Sequence, residues 1–456
     1  MVLTHEQMDV LEQADCGENI FLTGGAGTGK SATLSRAVEH LRKQGLVVEV
    51  TASTGIAALR VGGQTLASTL GVRLARNIRE ARETEICSDR WTHWVARRLR
   101  ELDVLVVDEI SMLTGDYIEM LNDVLRLARR SLDFPFGGAQ VIFSGDMLQL
   151  PPVQKARPGE VWEEVQARWR WAYEAPVWAE ARVQTMELTH CWRQEDRALA
   201  EILGRARYAD MLQEDFTFLN QCVGRDIGPE PLVLVRTNAE ADVINTLGMD
   251  TLPGRARYYE AVYEGSEEYV QLLRKGCLAP PTLVLKEGAK VLVLQNHYVG
   301  EGDDHHLSVA NGHRGEVVKL GRMGIRVLLE DGREFEFRPT MFELLNSRGA
   351  TIATCKQFPL RPAWAVTIHK SQGMTLDRVA LNLQSNGYQW QSGQAYTALS
   401  RVRSLEGLRL EQPITRRILR AAPACVQFYR KLAADQKATW AVEAQADSWR
   451  RDEAAA

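Results

Sequence analysis

The chain has no apolar run approaching the ~20 residues that cross a bilayer, and its start shows no signal-peptide pattern. A cytoplasmic protein with no membrane partner is expected. Cysteine is sparse and scattered: seven residues, at 16, 87, 191, 222, 277, 355 and 425, with no C-x-x-C pair and an odd total. That argues against a disulfide framework or a zinc site and for reduced thiols. Lysine is also scarce, 11 of the 55 basic residues, which decides nothing about function. Nor does one sign of charge dominate. The net value is −4, so any groove for a polyanion has to be local. What remains, 45% hydrophobic and 25% charged residues, is the composition of a globular protein. A length of 456 residues calls for roughly two to four domains.

The most informative stretch is Asn19-Ile-Phe-Leu-Thr-Gly-Gly-Ala-Gly-Thr-Gly-Lys-Ser31. Ile20 to Leu22 reads as a short buried strand, and Gly24, Gly29, Lys30 and Ser31 satisfy G-x-x-x-x-G-K-[ST]. Leu34, Ala37, Val38 and Leu41 then recur at helical spacing up to Gly45. Strand, glycine loop and helix follow in the order a phosphate cradle requires. Backbone N–H groups of residues 25–31 (Gly25, Ala26, Gly27, Thr28, Gly29, Lys30, Ser31) can curl around an anion at a helix N-terminus. Lys30 is expected to reach the β- and γ-phosphates of ATP and Ser31 to ligate Mg²⁺.

Ahead of this loop, residues 3–15 read as a helix opened by Thr4, and Gln7 can offer an adenine edge a donor and an acceptor together. After it, Leu46 to Thr51 reads as a second strand running into Thr51-Ala-Ser-Thr-Gly-Ile-Ala-Ala58, a turn that suits either a phosphate or a plain helix cap. Residues 62–68 are expected to leave the sheet, and 73–100 to form a solvated connecting helix.

Leu102-Asp-Val-Leu-Val-Val-Asp-Glu-Ile-Ser111 places Asp108 and Glu109 at the carboxyl end of a buried strand, where α/β proteins bind ligands. Asp108 suits the Mg²⁺ and Glu109 the orientation or deprotonation of an attacking water. Gln140 to Val153 repeats the design, and its Gln149 suits a γ-phosphate sensor. Strands at 20–22, 46–51, 104–107 and 141–144, separated by helices, predict a doubly wound parallel sheet. Residues 154–186 read as a bridge of helices.

A second α/β unit is expected from strand Leu232–Val235, with Asn238 capping the next helix and Lys290–Gln295 as another strand. Alternation over 315–338 around Gly324 and Asp331-Gly332 predicts β-hairpins of a small barrel inserted in that unit. The unit resumes at Ala363, with a strand at Val379–Leu383, a helix at Ser392–Arg403 and a strand at Leu408–Leu410. An amphipathic helix is expected from Arg416, and a frayed tail over 437–456. One phosphate loop with two such units predicts ATP in the cleft between them, with arginine from the second unit completing the site.

Together these segments resemble the petite-integration-frequency (PIF) family of DNA helicases, in the 5′-to-3′ branch of helicase superfamily 1. Gly24–Ser31 resembles its motif I, Thr51–Ala58 motif Ia, Val107–Met112 motif II and Gly145–Val153 motif III. Leu188–Gln194 resembles motif IV, Thr367-Ile-His-Lys-Ser-Gln-Gly-Met-Thr-Leu-Asp377 motif V, and Gly393-Gln-Ala-Tyr-Thr-Ala-Leu-Ser-Arg401 motif VI. The resemblance implies an α/β fold of two tandem RecA-like doubly wound parallel-sheet domains. It divides the chain into domain 1A (1–61 and 78–185) with a wedge at 62–77, domain 2A (186–296 and 361–436) with an SH3-like insertion at 297–360, and the tail.

It also implies an ATP- and Mg²⁺-dependent DNA helicase with Arg193 and Arg401 as arginine fingers and Gln7 on adenine. Single-stranded DNA and its junctions with duplex would be held by Thr54, Gly55, Thr65, His369, Lys370 and Ser371. Forks, R-loops (RNA–DNA hybrids) and G-quadruplexes are the implied substrates, for a monomer that can dimerise on DNA. The family usually carries His where this chain has Ala67, so that contact is not carried over. Three alternatives stay open: a RecD-type helicase, a DNA-stimulated translocase that does not part strands, and a binding module with a degenerate ATP site. The Gln-Leu-Pro-Pro-Val ending of motif III favours the PIF type over the first, and the intact Lys30, Ser31, Asp108, Glu109, Gln149 and both arginines weigh against the last.

Overall fold

The computed structural model describes residues 3–434 except 54–56, 59–62, 73–77, 83–85, 87–90, 153–169, 195, 229–230, 278, 296, 300–305, 310–312, 346–350 and 384–389. Thr54, Gly55 and the tail 437–456 therefore lie outside the described residues.

Helix α1 (His5–Asp15) opens on a capping box: Gln7 N donates to Thr4 Oγ1 at 3.3 Å, and Thr4 N donates to Gln7 Oε1 at 3.1 Å. Strand β1 (Ile20–Gly24) leads through the glycine loop into α2 (Lys30–Lys43). Four more strands, β2 (Val48–Ala52), β3 (Gln64–Thr65), β4 (Val104–Asp108) and β5 (Gln140–Ser144), join it, and β6 (Gln184–Leu188) completes a six-stranded sheet. Its order is β3-β2-β4-β5-β1-β6, and every pairing is parallel.

Strands β1, β2 and β4 are buried along their whole length because helices cover both faces; β1 and β4 accordingly carry apolar runs, whereas β2 buries Glu49 and Thr51 as well. Alternate residues serve opposite cores. Ile20, Leu22, Val104, Val106 and Ile142 pack with Leu34, Val38 and Leu41 of α2, while Phe21, Leu105, Val107, Val141 and Phe143 face the other side.

The second unit has a four-stranded parallel sheet in which β7 (Leu232–Val235) lies between Ala365–Thr367 and Val379–Leu381, with Leu408–Leu410 outermost. Leu232 and Leu234 share a core with Leu199, Ile202 and Leu203 of helix Arg197–Arg207 and with Tyr396 and Leu399 of helix Gln394–Leu399.

Several expectations are corrected. The stretch expected to leave the sheet at 62–68 instead joins it: among its described residues Gln64–Thr65 is the edge strand, and Leu66, with Leu70 and Val72 just after it, is buried in the first unit's core. The bridge expected over 154–186 includes most of β6, which pairs with β1 along all five residues. The helix after β7 is capped by Thr237, not Asn238, because the Thr237 hydroxyl accepts from Glu240 N at 3.2 Å. Lys290–Val293 belongs to the antiparallel insertion, where it pairs with Arg314–Leu320 and Leu360–Pro362. The insertion thus begins well before residue 297, since Arg257–Glu260 and Val262–Gly265 also join its sheets. The expected hairpins around Gly324 and Asp331-Gly332 are present. The helix expected from Arg416 starts at 423, and it crosses back to bury Cys425 and Tyr429 in the core of the first unit.

Candidate functional site: a nucleotide cavity between two parallel sheets

The loop between β1 and α2 needs its glycines for two reasons. Gly27 and Gly29 have φ of 84° and 91°, a left-handed backbone that residues with a Cβ rarely adopt. A Cβ on Gly24 would overlap the Leu188 carbonyl, and one on Gly27 the Arg193 side chain. The loop is therefore pressed against the segment that follows β6. Trp192 N donates to Gly27 O at 2.8 Å, and Thr189 is tied to Glu6 of α1.

A cavity of about 330 Å³ opens beside this loop. From the first unit it is lined by Ala26, Gly27, Gly29, Lys30, Ser31, Ala32, Asp108, Glu109 and Gln149. Trp192, Arg193, Gly373, Thr375 and Arg401 complete it. Ten of the sequence-predicted site residues thus meet in one place although they span 376 positions of the chain, Ala26 to Arg401. Gly25 and Thr28 shape the loop from behind: the Gly25 carbonyl accepts from Lys30 Nζ at 2.9 Å and from the Thr28 hydroxyl at 3.0 Å.

Lys30 also donates to Gly24 O at 2.9 Å. Burial pulls its pKa below the ordinary lysine value, against the opposing pull of Asp146 and Glu109. Asp108 is buried at the end of β4 and accepts from Glu109 N at 2.9 Å. Glu109 sits at φ 54°, a strained position for a residue with a Cβ and of the kind that clusters at functional sites. Both arginines are held by the second unit. Arg193 donates to the Thr375 hydroxyl at 3.0 Å and Ser400 O at 3.1 Å, and Arg401 to Thr397 O and Ser400 Oγ at 2.9 Å each.

Ser31 and Asp108 offer a hydroxyl and a carboxylate to the same cavity. That donor set suits Mg²⁺, which takes one or two protein oxygens and completes its shell with phosphate and water. Gln7 stands beside the loop, with Nε2 near Gly29 and Oε1 committed to the capping box.

The residues expected to hold DNA are more dispersed. Thr65 caps helix Leu66–Leu70 through its hydroxyl. His369 and Lys370 are half-buried at the start of the turn after Ala365–Thr367, and burial lowers the pKa of each. Ser371 is fully buried, backbone included, and its hydroxyl donates to Ile368 O at 2.8 Å, so it shapes this turn from within. Sequence reasoning missed Trp192, which is 54% exposed and lies against Gly29, as well as Gln372 and Tyr396. All three stand inside recognisable motifs, which was their available signal.

Two parallel sheets with a phosphate loop, an acidic strand end and two arginines around one cavity define a tandem RecA-like nucleotide-driven motor. Residues 2–214 match the model of the PIF1-like helicase family. The ATP-dependent DNA helicase Pif1 of Bdellovibrio bacteriovorus is 33% identical over 94% of this chain and 92% of its own length. The PIF1 helicase of Xenopus laevis is 34% identical over 94% of this chain, which spans 64% of that longer protein. Bacteroides Pif1 in complex with ADP-AlF4 superposes with a TM-score of 0.80 at 28% identity, covering 95% of this chain and 98% of that one. The same protein bound to single-stranded DNA gives 0.65 at 28% identity, covering 96% and 98%. The chain belongs to the PIF1-like helicase family and is an ATP-dependent DNA helicase.

Proposed function

We propose that the protein translocates 5′-to-3′ on single-stranded DNA and separates duplex ahead of it, driven by Mg²⁺-ATP bound in the cavity between its two units. Lys30 neutralises the β- and γ-phosphates, and Ser31 and Asp108 hold Mg²⁺. Glu109 orients the attacking water, and Gln149 senses the γ-phosphate. Arg193 and Arg401 stabilise the transition state, a role worth about 10³–10⁵ in rate for an arginine finger. Gln7 faces the adenine, and Trp192 supplies an aromatic surface beside it.

The observation that carries this reading is that groups from both units line a single cavity, so nucleotide turnover is coupled to their approach. His369 and Lys370, with Thr54, Gly55 and Thr65, grip the strand, mainly through phosphates and stacked bases. Bacteroides Pif1 bound to single-stranded DNA supports that ligand class. The favoured substrate is a junction of single and double strands, worked by a monomer. Opening one base pair costs only about 1.4 kcal/mol, within reach of a modest domain closure.

The test is strand separation on two partial duplexes, one with a 5′ tail and one with a 3′ tail, with ATP hydrolysis followed in parallel. Unwinding of the 5′-tailed substrate alone, lost in Lys30→Ala, is expected. DNA-stimulated hydrolysis with neither substrate unwound would replace this reading with a translocase.

A further inference from the structure

Helix Gln394–Leu399 carries Tyr396, whose hydroxyl crosses from the second unit to the phosphate loop of the first. It accepts from the Ala26 backbone N–H at 2.8 Å and donates to Asp146 Oδ2 at 3.5 Å. Burial pushes the Tyr396 pKa up, so the hydroxyl keeps its proton at any working pH. Asp146 is gripped in turn by Arg207, whose Nε lies 3.2 and 3.1 Å from its two oxygens and whose Nη2 lies 3.1 Å from Oδ1. Arg207 ends helix Arg197–Arg207 of the second unit, reaches Glu187 of β6 at 2.7 Å, and lies 4.6 Å over the Tyr429 ring. Two side chains of the second unit therefore converge on one buried carboxylate of the first, three residues before Gln149.

A buried ion pair adds little net stability, because desolvation offsets most of the attraction. Its geometric consequence is larger. The groups that cradle phosphate, Ala26 to Ser31, belong to the first unit, whereas Arg193 and Arg401 are fixed by Thr375, Thr397 and Ser400 of the second. Something has to set one group against the other to within a fraction of an ångström. Tyr396 is bonded to the loop backbone itself and stands five residues before Arg401 on the same segment.

We propose that Tyr396 is a positioning residue for ATP hydrolysis, its hydroxyl oriented by the Asp146–Arg207 pair and holding the phosphate loop in register with Arg401. This rests on the reading that Arg193 and Arg401 act on ATP in this cavity. Because the phosphate cradle lies in the first unit, the contribution belongs to turnover rather than to binding.

The experiment uses the full-length chain with Tyr396→Phe, which keeps the ring and removes the hydroxyl. DNA-stimulated kcat should fall about tenfold, KM for ATP should move by less than roughly threefold, and the melting temperature should stay within about 2 °C. Arg207→Lys, which keeps the charge but loses the fork, should show the same kcat-selective loss. The double variant should lose less than the product of the two single effects, as expected of residues that act through one contact. Wild-type kcat in Tyr396→Phe would overturn the proposal, as would a loss that tracks a fall in melting temperature. Lys30→Ala separates the two levels. If it hydrolyses like wild type the ATP reading itself fails, and if it is inactive while Tyr396→Phe is normal only this proposal fails.

Discussion

Gln372 Nε2 donates a hydrogen bond to Glu109 Oε2 at 2.8 Å, so a turn of the second unit holds the carboxylate that the first unit contributes to the cavity. Glu109 sits on a left-handed backbone at the end of β4, a conformation that costs about 1–3 kcal/mol and has to be stabilised by its surroundings. Gln372 supplies part of that support from across the cleft. Its own position follows the helical turn Ile368–Ser371, which carries three of the candidate DNA residues. The contact therefore joins the carboxylate proposed to orient water to the segment proposed to grip the strand.

Removing the donor in Gln372→Ala should lower DNA-stimulated kcat about tenfold, less than the roughly 10²–10⁴ that a positioned acid–base group contributes, because Glu109 itself remains. Gln372→Glu should cost more, because it sets two carboxylates against each other. Steady-state ATPase with and without single-stranded DNA checks both. An unchanged DNA-stimulated rate in the alanine variant would show that Glu109 is oriented without the second unit.

Gly393 presses on the segment that carries the expected γ-phosphate sensor. It adopts φ 75°, and a Cβ there would overlap the Gln149 carbonyl oxygen. Gly393→Ala should push the two units apart at Gln149 and reduce ATP turnover by more than about tenfold. Unfolding of each unit should be little changed, since the clash is relieved by opening the cleft. Turnover measured beside a thermal melt separates the two effects.

Lys30 gives a pH signature. Burial lowers its pKa from the ordinary lysine value, so its charged form is lost at a lower pH than a solvent-exposed lysine would allow. The alkaline limb of kcat/KM for ATP, which reports the free enzyme, should therefore begin below that ordinary value. Stability should run the other way. Between the folded and unfolded pKa values the unfolded chain binds the extra proton, so unfolding free energy from this group rises with pH. Lys30→Met should abolish hydrolysis and remove the pH-dependent stability contribution. A pH profile of kcat/KM paired with chemical denaturation at several pH values checks both signs.

What was legible in the sequence was local. Gly24 to Ser31 and Asp108-Glu109 announce themselves because each needs only a strand end and a turn, and the structure brings Ala26, Gly27, Gly29, Lys30 and Ser31 of the loop into one cavity with the two carboxylates. Lys290–Val293 was recognisable as a strand but not by its partners, since four apolar-rich residues look alike in a parallel or an antiparallel sheet. Gln184–Leu188 escaped because, at an edge of the sheet, its middle residues are only partly buried and carry no apolar run. Arg207 and Tyr396 were invisible as a pair: 189 residues separate them, and only the folded chain brings both onto Asp146. The return of helix 423–434 to the first unit was hidden for the same reason.

That returning helix makes a stability prediction. Tyr429 is 2% exposed, its hydroxyl bonds the Thr23 hydroxyl at 2.6 Å and accepts from Met147 N at 3.2 Å, and its ring lies under Arg207. Tyr429→Ala should cost about 3–5 kcal/mol, the usual price of emptying a buried aromatic site. Tyr429→Phe should cost less, about 1–3 kcal/mol, because the buried Thr23 hydroxyl and Met147 N–H lose a partner while the packing stays. Equilibrium denaturation of both variants checks the ranking, and near-equal losses would place the effect in the hydroxyl rather than in the packing.

Lys370 tests the DNA reading without touching the nucleotide cavity. Burial and the neighbouring Arg361 lower its pKa while Asp242 raises it, so two cations share the field of one carboxylate. A phosphate placed there would favour the charged lysine. Lys370→Ala should weaken single-stranded DNA binding to a similar extent for every sequence and reduce the slope of log affinity against log salt by about 0.7, the share of one phosphate contact on a single strand. Basal ATP hydrolysis should hold, while its stimulation by DNA should need more DNA. Fluorescence anisotropy at several salt concentrations measures the slope directly. A weaker complex with an unchanged slope would mean that Lys370 shapes the turn around His369 without meeting the phosphate.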